Sequence, residues 1–277
     1  MQNLIKTFEG RTCPEVWLDA VKFLRAQQNH FAYNVVLGVE TPHVLSPADF
    51  AVHDLVDSFL REHDCAPLNT IASTIFPAGY YLQSGAKGVF TEYAEAYPKI
   101  HGGWGTYAYR MLRKSTASKT GNKEDYINPL EKIVDKIKSQ LQGGHFRAIY
   151  EINLVEEDDL LELPTYDAAF DCDRNRPHPC LSHLSFKLTP DRKVMLTALY
   201  RYHYYVQKAL GNLFGLAQLL LFVAQQTGLD AGPLICHSTY AVLDIEPKKW
   251  NLHKLDDLIQ KSNQAYDSAK SHVPVPA

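Results

Sequence analysis

Residues 178–232 run HPCLSHLSFKLTPDRKVMLTALYRYHYYVQKALGNLFGLAQLLLFVAQQTGLDAG, and their patterning decides the fold. Leu184, Phe186 and Leu188 alternate with polar residues, and Val194, Leu196, Ala198 and Tyr200 repeat the pattern, so both segments are predicted strands of period two. Thr189-Pro190-Asp191-Arg192-Lys193 joins them with the chemistry of a turn. From Val206 to Thr227 the chain is apolar nearly all round, which predicts a central helix buried against a sheet. Gly228 ends that helix. Strands mixed with a few long helices, and no internal repeat, predict one α+β domain spanning residues 1–277.

Upstream, Val16, Trp17, Ala20, Val21 and Leu24 recur at helical spacing between Pro14 and Gln27. Phe31 to Val39 is rich in β-branched and aromatic residues and is a predicted strand. Ser46-Pro47-Ala48-Asp49 predicts a helix start, with Ser46 as N-cap, Pro47 at the first helical position and Asp49 three residues after the cap. That helix runs to about His63 and places Phe50, Val52, Leu55, Phe59 and Leu60 on or near one face. The polar stretch at 114–125 is a predicted surface loop. A second helix is expected over Pro129 to Gln142, closed by Gly143-Gly144, followed by a strand from Arg147 to Leu154 and a solvated acidic turn from Glu156 to Glu162.

Composition narrows the function classes. The 277 residues are 45% apolar, ample for a substantial core. With 28 Lys plus Arg against 31 Asp plus Glu, no global positive field holds the chain on nucleic acid or an anionic membrane, so any phosphate binding must be local. The start, MQNLIKTFEGRTCPEVW, lacks the basic-then-apolar pattern of a secretory signal, and the run Leu219 to Ala224 is far short of the ~20 apolar residues of a membrane span. A cytoplasmic protein is expected. The five cysteines are scattered without CxxC pairs, which argues for reduced thiols rather than a disulfide framework.

Cys180 ends Arg176-Pro177-His178-Pro179-Cys180 at the mouth of the predicted hairpin. Two prolines before it and a strand after it fix the thiol, and neighbouring Arg or His can raise its thiolate fraction. A buried, inert cysteine fits the same spacing. Cys172, His178, Cys180 and His183 supply zinc-type ligands within twelve residues, but their spacing matches no standard zinc module, so no metal is assigned. Gly102-Gly103-Trp104-Gly105 and Gly121-Asn122-Lys123 lack the patterns of dinucleotide and phosphate loops and are expected turns. Arg147 and Arg201, at strand ends, can each grip an anion bidentately or lie paired at the surface.

Pro179 to Gly232 resembles the core of the thymidylate synthase family, whose pattern is a Pro-Cys-His strand, a hairpin, Arg-Ser-x-Asp, a Pro-Phe-Asn helix start and Ala-Gln-Gln. Cys180 falls on the family nucleophile, Arg201 on the arginine that touches nucleophile and phosphate, and Asn212 on the asparagine that reads the pyrimidine edge. The interval from Cys180 to Arg201 is one residue longer than the family's, absorbed by the turn, while Arg201 to Asn212 keeps the spacing. Gly144-His145-Phe146-Arg147-Ala148-Ile149 resembles the Ser-Arg-Arg-Ile-Ile segment that crosses a dimer to the partner's phosphate, with Arg147 kept. Val52-His53-Asp54-Leu55 resembles the His-Glu-Leu helix, which puts Asp54 at the catalytic carboxylate. The tail from His272 to Ala277 is short and Pro-rich like a closing flap.

Departures from the pattern fall at Leu181 for the histidine after the nucleophile, Tyr202 for the phosphate-binding serine and Tyr204 for the aspartate that holds the folate pterin. Val242 and Asp244 stand where the family has His and Tyr for the sugar hydroxyl. The resemblance implies thiolate addition to C6 of a pyrimidine nucleotide, then methyl or hydroxymethyl transfer to C5 from 5,10-methylenetetrahydrofolate, as in a synthase or a pyrimidine nucleotide hydroxymethylase. Arg201 would lower the thiol pKa and bind phosphate, Asn212 would suit a uracil edge, and Asp54 would relay protons through water. The resemblance further implies a mixed sheet and a homodimer with Arg147 acting across the interface. The departures point to an altered substrate, or to a binding or regulatory protein that kept the fold and lost turnover.

Overall fold

The computed structural model describes residues 4–100, 106–116, 125–141, 162–165, 179–246 and 248–271. In chain order the elements are β1 (Lys6–Gly10), α1 (Cys13–Ala26), β2 (Phe31–Val39), α2 (Pro47–Glu62), α3 (Leu68–Ser73), α4 (Ala78–Lys87), α5 (Ala94–Ile100) and α6 (Tyr107–Leu112). Then come β3 (Lys114–Thr116), β4 (Asp125–Ile127), α7 (Pro129–Leu141), β5 (Glu162–Pro164), β6 (Leu181–Leu188), β7 (Lys193–Tyr200), β8 (His203–Tyr204), α8 (Leu210–Thr227), β9 (Asp230–Val242) and α9 (Leu252–Ser271). Wide, π-type turns lead from α4 into α5 and, over Tyr205–Ala209, from β8 into α8.

A mixed seven-stranded sheet runs β1-β2-β9-β7-β6-β5, with β8 beside β9. β1 is parallel to β2, and β7 and β8 are parallel to β9, while the other pairs are antiparallel. Alternation does the sorting: Leu184 and Phe186 on β6, and Val194, Leu196, Ala198 and Tyr200 on β7, all turn into the core. The hairpin between them is locked at both ends, since the Lys193 N–H donates to Thr189 Oγ1 at 3.0 Å and the Thr189 N–H to the Lys193 carbonyl at 2.9 Å. Arg192 takes the positive φ of 63° that the turn requires.

The helix α8 lies against β7 and β9 on one side and α3, α7 and α1 on others. Together with the turn before it, this segment is long and apolar enough to cross a membrane by length and composition, yet most of it is buried inside the protein. Glycine permits the α3 contact: a Cβ on Gly215 would sit 2.6 Å from the Ala72 carbonyl oxygen, and one on Gly211 2.7 Å from Ile71 Cβ. Gly228 closes the helix in the left-handed conformation, φ 70°.

At α2 the cap is the predicted one. The Asp49 N–H donates to Ser46 Oγ at 3.3 Å and the Ser46 N–H to Asp49 Oδ2 at 2.7 Å, a reciprocal box of the kind that contributes about 1 kcal/mol. Buried Asp49 also accepts from Thr12 Oγ1, tying α2 to the start of α1. Phe50 departs from the expected apolar face and is 53% exposed. It lies about 200° around the helix from Val52, whereas Val56, Phe59 and Leu60 share Val52's side. The expected loop at 114–125 also differs at its ends, where Lys114–Thr116 pairs with Asp125–Ile127 as a small antiparallel ribbon. Glu162, expected in the acidic turn, begins β5 instead. The strand expected from Arg147 to Leu154, Arg147 itself, Cys172, His178, the Gly102–Gly105 turn and the tail from His272 lie outside the described residues.

Candidate active site

Cys180 stands immediately before β6, and Arg201 immediately after β7, the antiparallel neighbour of β6. Hairpin pairing therefore brings two residues far apart in sequence to the same sheet end. The Arg201 N–H donates to the Cys180 carbonyl at 2.9 Å, and the Arg201 guanidinium donates through Nη2 to the Pro179 carbonyl at 2.9 Å. A bulge between Leu181 and His183 resets the register beside the thiol. Burial pushes the half-buried Cys180 thiol above its ordinary value, and the charges of Arg201 and Lys208 pull it back down without cancelling the rise. Arg201 thus acts on the thiol in the expected direction, while the net balance keeps Cys180 protonated at neutral pH.

Tyr107, from the first turn of α6, closes the other side. Its phenol oxygen accepts from the N–H of Cys180 at 3.0 Å and of Leu181 at 3.3 Å. Burial raises its pKa to about 12, so it stays a phenol, a proton donor fixed beside the thiol. Sequence reading missed Tyr107, since 73 residues separate it from Cys180 and only the sheet end joins them.

Behind this half-open end lies a dry polar chain. Asn212 Nδ2 is 3.0 Å from His203 Nε2, His203 Nδ1 is 2.9 Å from Ser238 Oγ, and Ser238 Oγ is 3.2 Å from the Tyr205 hydroxyl. All four residues are buried. Burial drops the His203 pKa to about 3, so the ring is neutral. Tyr200 stacks flat on it, centroids 4.0 Å apart and planes 3° from parallel. Tyr200 is itself fully buried, its hydroxyl has no hydrogen-bond partner among the described residues, and it lies within electrostatic reach of Cys236, Tyr107 and Cys180. The Tyr200 ring thus covers His203.

The substituted positions have structural occupations of their own. Asp244 accepts from the Val206 N–H at 2.7 Å and the Gln207 N–H at 3.1 Å, capping the turn into α8, and burial raises its pKa to about 6. Tyr202 stacks on Tyr240 at 4.9 Å and meets Tyr204 edge-on at 5.0 Å, an aromatic surface that continues through Tyr240 to Phe31 and Tyr33. Asp54 sits on α2 with its side chain 78% exposed, paired at 2.9 Å with the adjacent His53. The structure therefore gathers Cys180, Arg201 and Tyr107 at one sheet end, with the Lys208 charge acting on the thiol, and ties Asn212 to His203. It shows no hydrogen bond or ion pair from Asp54 to that group among the described residues. No disulfide joins Cys13, Cys65, Cys180 and Cys236, and no group of three metal-ligating side chains occurs among the described residues.

No protein-family model matches the chain, and no curated protein matches it in sequence. Among solved structures, thymidylate synthase from T4 phage is similar over 87% of this chain and 79% of its own, with a TM-score of 0.46 and 14% identity.

Proposed function

We propose that the chain acts on a pyrimidine nucleotide, with Cys180 as the nucleophile that opens one-carbon transfer to C5. The observation that supports this best is the pairing of a proline-anchored thiol with Arg201, Lys208 and a phenol at one sheet end, beside a buried Tyr200 hydroxyl that lacks a partner among the described residues. A buried donor left unmade costs about 1–3 kcal/mol.

In the proposed chemistry the thiol gives its proton to solvent water and sulfur bonds to C6. The C5–C6 electron pair then shifts toward the C4 carbonyl, leaving C5 nucleophilic. Reversal after C5 has bonded an electrophile and lost its proton expels the thiolate. Arg201 and Lys208 hold phosphate, the Tyr107 phenol sits as a hydrogen-bond donor beside the sulfur, the C5 proton leaves to water, and Asn212 meets the base edge. The sequence reading adds Asp54 as a water-mediated relay, and Arg147 from a second subunit. A homodimer is in keeping with the half-buried apolar outer face of the sheet, where Val36, Ile235, Met195 and Leu199 sit.

Methylenetetrahydrofolate, the one-carbon donor implied by the resemblance, does not fit the residues present in its usual pose. A phenol, Tyr204, replaces the carboxylate that holds the pterin, and Asp244, the carboxylate within electrostatic reach of Tyr202, is spent on two backbone amides. No step is assigned to it. The raised thiol pKa favours a second reading, a nucleotide-binding protein without turnover.

Hydrogen exchange at C5 tests the proposal. The protein is incubated in heavy water with dUMP, UMP, dCMP and CMP and compared with Cys180→Ala. Exchange on one nucleotide that disappears in the variant is expected. Binding without exchange selects the second reading, and neither binding nor exchange overturns both.

A further inference from the structure

A cleft of about 550 Å³ opens between the C-terminal half of α2, the first turns of α9 and the loop that leads into α9, and none of its lining residues belongs to the Cys180 group. That volume is the size of a small-molecule site. Its floor is apolar, because Phe59 and Leu258 line it and are buried where α2 packs on α9. Its rim is cationic. Lys248 and Lys249 stand on the loop, and Lys254 and Lys261 share one face of α9, two helical turns and so roughly 10 Å apart.

The partners of these ammonium groups differ in kind. Lys261 is neutralised by Asp257 at 2.7 Å. The other three make no ion pair among the described residues, although Glu62 and Asp64 line the same cleft. Lys249 Nζ donates to the Asp64 backbone carbonyl at 3.1 Å, not to its carboxylate, and lies 3.3 Å from Cys65 Sγ. Lys254 Nζ lies 3.0 Å from His63 Nε2. His63 Nδ1 is 2.7 Å from the Phe59 carbonyl, which only accepts, so the ring proton sits on Nδ1 and Nε2 receives the bond from Lys254. The ring is itself fixed, packed on Phe59 at 4.4 Å and edge-on to Trp250 at 5.8 Å. Lys249 and Lys254 are therefore held at the cleft by acceptors that position them without pairing their charge.

We infer that this cleft is a second ligand site and that it takes a small-molecule polyphosphate, with Lys249 and Lys254 as its anchoring cations. Two positioned ammonium groups on different walls match a ligand carrying more than one negative charge. Phosphate suits them better than carboxylate: lysine meets a phosphate as a point charge, whereas planar carboxylates are best gripped by the fork of an arginine, and no arginine lines the cleft among the described residues. Inorganic polyphosphate and the phosphate chain of a nucleoside triphosphate share this chemistry. The inference is independent of the nucleotide reading of the Cys180 end.

Calorimetric titration tests it. Sodium triphosphate and ATP, without added metal, are titrated at low salt into the intact protein, Lys249→Gln/Lys254→Gln, Glu62→Gln and Arg201→Ala, with circular dichroism confirming each fold. Wild type is expected to bind triphosphate saturably at one site per chain. The paired lysine variant is expected to lose about tenfold or more in affinity, and Glu62→Gln to gain several-fold because a like charge leaves the cleft. Arg201→Ala is expected to bind as wild type does. Equal affinity for the two probes supports a site for the phosphate chain alone, and tighter ATP binding supports a nucleotide seated on the apolar floor. Lys254→Gln alone keeps the question answerable if the paired variant does not fold. No saturable binding of either probe below about 5 mM overturns the inference. Binding that survives the lysine substitutions and disappears in Arg201→Ala also overturns it, by placing the phosphate at the Cys180 end.

Discussion

The two ends of the site differ in almost every physical respect. Around Cys180 the groups are charged or half-exposed: Arg201 and Lys208 are at the surface, and the thiol is pulled up by burial and down by two cations. Around Asn212 the groups are neutral and buried, and each bond in the chain from Asn212 to Tyr205 is made inside the core. Charge near water can be adjusted by a ligand's own phosphate, whereas a dry polar chain must be satisfied before any ligand arrives. Under the proposed function the contrast becomes a division of labour, with the wet end reacting and the dry end recognising. Stability should therefore be concentrated in the dry end and reactivity in the wet one.

His203→Ala should break the contrast most severely. It empties the space under Tyr200 and strands the Asn212 amide, leaving Ser238 only its Tyr205 partner, which together should cost about 2–4 kcal/mol in urea unfolding. Tyr200→Phe should sharpen it. Removing a hydroxyl with no partner among the described residues should raise the stability of the free protein by about 1 kcal/mol while weakening nucleotide binding, so that melting and calorimetry move in opposite senses. Arg201→Ala should be the mildest for stability and act on chemistry. Losing the guanidinium raises the Cys180 pKa further, so the pH profile of iodoacetamide alkylation at Cys180 should shift to higher pH and the rate at pH 8 should fall.

Local signals reached some of this architecture and stopped at recognisable points. The Ser46–Asp49 box, the alternation of β6 and β7 and the Gly228 stop depend on neighbours within a few residues, and each is visible in the sequence. β9 carries no such local signal, since Gly232-Pro233 interrupts a strand that occupies the middle of the sheet. The register with β7 slips there, with Val194 opposite Ala231 and Leu196 opposite Leu234, and β2 pairing reaches only Leu234. Pro233 thus occupies an irregularity where its missing N–H breaks no ladder. Cys180, Arg201 and Asn212 are reached through the resemblance to a family pattern, since spacing alone fits a buried, inert cysteine as well. Tyr107, His203 and Ser238 could not be reached in that way, because what matters about them is which distant backbone or ring they touch. Phe50 shows the complementary limit, an apolar residue whose type suggested burial and whose helical phase prevented it.

The claim that both ends form one ligand site can be tested most directly by protection of the thiol. Alkylation of Cys180 is followed by peptide mass spectrometry with and without dUMP at a concentration that saturates binding by calorimetry. The account predicts that dUMP slows alkylation of Cys180 in the wild-type protein and fails to do so in His203→Ala at the same concentration. An alkylation rate in wild type that saturating dUMP leaves unchanged would separate the thiol from the base-reading chain and contradict the account.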